Sequence, residues 1–174
     1  MPRLMWLTVS CVAVLFAFAG CFGPVPDPAV DPAPLFSGIV VPVSHGCGNF
    51  SLYAPAADGL FYLVVNIPNR RRTLTAAGET FVIGRDEGFQ VFVEQWTEPP
   101  VHYCNCYSNG AELVARWLAT DGTGEAALVA AEDGDLYHVQ VQLFGITLKL
   151  QNSSRRTEIE SIKWERVTVG GYAG

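Results

Sequence analysis

The sequence predicts an all-β fold, a β-sandwich or flattened barrel of about ten short antiparallel strands. Three observations lead there. Runs of β-branched and aromatic residues of strand length alternate with Gly, Asn, Asp and Pro from Phe36 to Gly174. Almost no stretch has a helical period. The composition, 49% hydrophobic with 16% charged residues over 174 positions, supports one buried core and excludes disorder over the whole length.

Taken in order, strands are expected near Gly38 to Ser44, Asn49 to Tyr53, Leu60 to Ile67, Arg72 to Thr75, Thr80 to Ile83 and Phe89 to Trp96. Further strands are expected near Val101 to Tyr107, Arg116 to Ala119, Glu125 to Ala131, Leu136 to Leu150 and Glu158 to Val169. Within Leu136 to Leu150, Tyr137, Val139, Val141 and Leu143 share one parity. Phe144, Ile146, Leu148 and Leu150 carry the apolar row on the other. A slip beside Gly145 reads as a β-bulge that bends one long strand. The last strand repeats the device, with Ile162 and Trp164 in one phase and Val167 and Val169 in the other. Ala111 to Leu118 is the one helix candidate, because Leu113 and Trp117, and Val114 and Leu118, are four apart. Trp96, Trp117 and Trp164 would suit a platform for sugar rings, but tryptophans among aliphatics are expected in the core.

The N-terminal segment reads as an export signal. Met1 to Arg3 is a short positive start, and Leu4 to Phe18 carries no charge. Such a run is short for a bilayer span and ends in small residues, as a signal peptide does. Phe18-Ala19-Gly20-Cys21 then resembles the lipobox of bacterial lipoproteins, with Phe18 where such motifs usually carry an aliphatic residue. The resemblance covers this segment alone. It implies cleavage before Cys21, a diacylglyceryl group on the Cys21 thiol and a palmitate-type acyl chain on the new N-terminus. It further implies location in the bacterial cell envelope, in the outer membrane of a diderm host because Phe22 is not Asp. Ala17-Phe18-Ala19 fits ordinary secretion as the alternative. Five prolines between Pro24 and Pro34 suit an extended tether. The expected organisation is therefore a signal peptide over 1–20, a lipidated cysteine and linker over 21–35, and a β-domain over 36–174.

Charge excludes one class of partner. The net charge is −6, and with Arg3 the only basic residue before Cys21 the exported part stands at 10 − 17 = −7. Such a chain repels phosphate backbones, so no nucleic-acid partner is expected. The basic cluster Arg70 to Arg72 reads as a solvated turn. The expected partner is the membrane, through the lipid; a protein or glycan ligand is left open.

The remaining chemistry lies in His45-Gly46-Cys47 and His102-Tyr103-Cys104-Asn105-Cys106. Alternation along strands puts His45 with Cys47, and His102 with Cys104 and Cys106, on common faces. In an oxidising compartment the first expectation is a disulfide from Cys47 to Cys104 or Cys106. Thiolate and imidazole groups also suit zinc or copper, so a metal site of His45, Cys47, His102, Cys104 and Cys106 is the alternative. No resident cofactor is otherwise expected. There is no Gly-x-Ser-x-Gly, His-Glu-x-x-His, phosphate loop or Cys-x-x-Cys. The acids Asp86-Glu87 and Glu132-Asp133 sit beside glycines, where carboxylates serve turns. The expected function is thus a non-enzymatic, lipid-anchored module with a binding or structural role. A metal-handling lipoprotein is the second reading, and an anchored envelope hydrolase the third.

Overall fold

The computed structural model describes residues 29–41, 45–47, 50–67, 74–100, 110–132 and 136–170. They hold a four-residue helix α1 (Ala33–Phe36) and nine strands: β1 (Ile39–Val40), β2 (His45–Cys47), β3 (Ser51–Pro55), β4 (Phe61–Asn66), β5 (Glu79–Val82), β6 (Gln90–Trp96), β7 (Leu113–Glu132), β8 (Leu136–Leu150) and β9 (Arg156–Gly170). The fold is all-β, as expected. The strands join one curled mixed sheet in the order β1-β9-β8-β7-β6-β4-β3-β2, with β5 alongside the second half of β7. All pairings are antiparallel except β1 with β9.

Alternation sorts the sheet into an inner and an outer face. Across five strands, Ala54, Leu63, Val93, Trp117 and Leu150 lie side by side, and all are buried. The neighbouring row, Tyr53, Val64, Phe92, Leu118, Lys149 and Arg156, lies on the other face; Val64 is buried there, the rest are half-buried or exposed, and the row ends in charge. Curling brings the β2 end of the sheet back against β9. A Cβ on Gly46 would lie 2.1 Å from the Thr168 carbonyl oxygen and 2.5 Å from Val169 Cγ1, so only glycine lets the two strands approach.

Both long hairpin strands bend where the phase slips. Leu143 pairs with Ile162 and Ile146 with Ile159, and all four are buried. Between them both strands turn two residues outward, and Gly145 takes a φ of 56° at the corner. Side chains rarely adopt that backbone, which glycine enters freely. Against β7 the register shifts at the same level. In β9 an extra residue falls between Trp164 and Val167, opposite Val141 and Val139. The bulge device is therefore present in both strands. Trp117 and Trp164, 1% and 0% exposed, are core; each contributes about 4 to 6 kcal/mol of burial as an upper estimate. Trp96 is half-buried.

Two expectations are corrected. The helix candidate Ala111 to Leu118 is strand: Leu113 to Leu118 pairs with Trp96 to Phe92, and burial of Ala115 and Trp117 follows period two. The stretches Arg116 to Ala119 and Glu125 to Ala131 are one strand, which continues through Gly122 and Gly124 because register shifts absorb the bends. Of the expected strand Arg72 to Thr75, Leu74 and Thr75 are irregular and the rest lies outside the described residues, as does Val101 to Tyr107.

Packing begins upstream of Phe36. Ala29, Ala33 and Phe36 are buried in the main core. The segment crosses one end of the curled sheet. There the Val30 N–H donates to Gln95 Oε1 at 3.0 Å, Arg155 Nη1 donates to the Ala29 carbonyl at 2.9 Å, and the Gly38 N–H donates to the Ser161 carbonyl at 2.8 Å. The Arg155 guanidinium also lies 5.3 Å from the centre of the Trp117 ring, a favourable cation–π distance.

Candidate functional site

On the outer face, Tyr62, Glu94 and Arg116 are cross-strand neighbours on β4, β6 and β7. Glu94 is 2% exposed, and a carboxylate so buried requires a partner. Arg116 provides it. Its Nε donates to Glu94 Oε1 at 2.9 Å and its Nη2 reaches the same oxygen, while its guanidinium lies 5.3 Å from the centre of the Phe92 ring. Carboxylate and ring together hold the guanidinium of an arginine whose side chain keeps 38% of its surface open. Burial pushes the neighbouring Tyr62 hydroxyl above its ordinary value of 10.0.

The turn between β5 and β6 forms the other wall. The Arg85 and Asp86 N–H groups donate to the Val82 carbonyl, and the Asp86 carboxylate accepts from the Val82 N–H. Phe89 folds inward from this turn and stacks on Phe81 with centroids 4.8 Å apart. Its ring rests over Gly124, where a Cβ would lie 2.5 Å from Phe89 Cζ. The anchored turn and the outer face enclose an open groove of about 510 Å³. Asn66, Arg85, Gln90 and Arg116 give it polar groups, and Phe92 and Leu118 an apolar floor.

Comparison with protein-family models, with curated proteins and with solved structures found no match. The geometry therefore carries the reading. Amide, guanidinium and carboxylate groups held in place around a small apolar floor suit reversible binding of a hydrogen-bonding ligand. Among the described residues that line the groove there is no serine, cysteine, histidine or lysine.

The residues singled out in the sequence lie elsewhere. Cys21, His102, Cys104, Cys106 and the arginines 70–72 fall outside the described residues. His45 and Cys47 are positions of equal parity in β2, opposite Tyr53 and Ser51, as extended backbone requires. Both expected disulfide partners of Cys47 therefore fall outside the described residues. Among the described residues no group of three or more His, Cys, Asp or Glu side chains is arranged to hold a metal. No helix among them is long and apolar enough to cross a membrane. Asp86 does the turn work expected of it.

Two polar features had no signal in the sequence. The Glu94–Arg116 pair joins residues on strands whose register only the folded sheet defines. His138, 6% exposed on β8, has its Nδ1 3.1 Å from Thr168 Oγ1; a lone histidine within a strand announces no partner.

Proposed function

We propose that the protein is a lipid-anchored, non-enzymatic all-β module of the bacterial cell envelope that binds a ligand through the groove between the β5–β6 turn and the outer face of β6 and β7. The observation that carries the binding role is the Glu94–Arg116 pair. Burying a carboxylate is costly, and here it holds the guanidinium of a partly exposed arginine in one orientation beside Phe92. Anchoring is supported by the uncharged run ending in Phe18-Ala19-Gly20-Cys21 and by the prolines that follow it. The packed chain starts by Ala29, which leaves a short stretch between lipid and domain.

Fractionation of cells expressing the full chain tests the anchor. Wild type is expected in the membrane fraction, with a diacylglyceryl-modified Cys21 at the mature N-terminus, and Cys21→Ser in the soluble fraction. Retention of Cys21→Ser in membranes, or a mature N-terminus at Gly20 with an unmodified thiol, overturns it.

A further inference from the structure

Lys149 and Arg156 are direct cross-strand partners beside the β8–β9 turn. Like charges placed opposite one another weaken a sheet, and among the described residues neither has an ion-pair partner. Arg155 adds a third cation. No acidic residue occurs from Lys149 to Thr157, in a chain where acids outnumber bases. Glu158, the nearest acid on these strands, opposes Thr147, farther from the turn. The opposed pair Lys149 and Arg156 costs the fold something, while Arg155 beside it is already held by the Ala29 carbonyl and the Trp117 ring.

The same turn holds the start of the packed chain, since Arg155 binds the Ala29 carbonyl. From Ala29 back to Cys21 is 29 − 21 = 8 residues, a reach of roughly 27 Å at most. We propose that the β8–β9 turn, through Lys149, Arg155 and Arg156, is the face that the domain lays on an anionic bilayer; the inference rests on lipid anchoring at Cys21. The lipid supplies attachment and the basic turn supplies orientation. Gln95, which accepts from Val30, lies at the end of β6 nearest this segment. Gln90, at the groove, begins the strand. Phe92 and Leu118 of the groove floor share a row with Lys149 and Arg156, so seating the turn on lipid holds the groove beside the bilayer surface. Each basic side chain near an anionic surface contributes about fivefold in association, and the effect is screened by salt.

The test reconstitutes the full chain in vesicles of phosphatidylcholine alone or with added phosphatidylglycerol, and reads amide hydrogen exchange by mass spectrometry. Peptides spanning 149–157 are expected to exchange more slowly on the anionic vesicles. High salt and the double variant Lys149→Glu/Arg156→Glu remove the slowing, the variant lowering surface association by roughly thirtyfold or more, since it removes two cations and adds two anions. Unchanged exchange in the β8 core shows that the variant is folded. Equal exchange on both vesicles, or slowing that survives charge reversal, overturns the inference while leaving the anchor intact. A chain that floats with neither vesicle overturns the anchor, and this orientation with it.

Discussion

Gly46 and Thr168 meet where the curled sheet closes, with no room between them for even a methyl group: a Cβ on Gly46 would lie 2.1 Å from the Thr168 carbonyl oxygen. That atom is backbone and cannot rotate away. Gly46→Ala is therefore expected to destabilise the domain by about 3 kcal/mol, the upper range for overpacking. Gly145→Ala is the contrast. No atom lies within 4 Å of a Cβ there, so the cost is the positive φ alone, about 1 kcal/mol. Denaturant midpoints at equal m-values check both; equal losses contradict the closure.

Removing Arg116 takes from the buried Glu94 carboxylate the cation that it faces. Arg116→Ala is expected to lose about 2 to 3 kcal/mol, the lower part of the range for a broken buried pair because the arginine is partly exposed. The double change Glu94→Leu/Arg116→Leu removes both charges and is expected to cost less than Arg116→Ala alone. A double variant less stable than the single would show that the carboxylate is not held mainly by Arg116.

Tyr62 gives the domain an alkaline limit. Its folded-state value is raised by burial above the ordinary 10.0, so folding favours the protonated phenol. The contribution is full below the unfolded value and is lost as pH rises through the folded one. Wild type is expected to lose more stability than Tyr62→Phe between pH 9 and pH 11, values that bracket the ordinary one. Urea midpoints at the two pH values measure the difference, and parallel losses refute it.

Cys47 stands on β2, whose neighbour Gly46 abuts β9. Non-reducing peptide mapping is expected to recover it joined to Cys104 or Cys106, and reduction to cost about 2 to 5 kcal/mol. A free Cys47 thiol accompanied by stoichiometric zinc or copper would favour the metal site instead.

The sequence announced those elements whose apolar spacing is their own. The bounds of β8 and the phase slips at Gly145 and after Trp164 were legible because the inward residues of β8 and β9 change parity in the chain itself. β7 was not. Its register shifts near Ala119 to Thr123 and at Leu128 to Ala130 break alternation, and Gly122 and Gly124 look like turn punctuation. Leu113 with Trp117 mimics a helical period because residues four apart share a face in both helix and strand. Among the described residues upstream of Phe36 the buried ones are Ala29, Pro32 and Ala33, which in a proline-rich stretch do not mark a core boundary. The candidate groove was illegible for a different reason: Asn66, Gln90 and Arg116 are brought together by strand pairing between distant segments.

Closure at Gly46 has a kinetic consequence. The strand that carries this glycine stands early in the packed chain, and the β9 residues against which it closes stand at the end. While a nascent chain emerges, β3, β4 and β6 can pair in turn, but the β2 end of the curled sheet has nothing to close against until β9 is available. Contacts between segments so far apart in sequence pay their loop entropy before they return any binding energy, and folding slows accordingly. Until β9 docks, the edge of β2 away from β3 is uncovered and open to wrong partners, so this closure forms after the other described strands have been made.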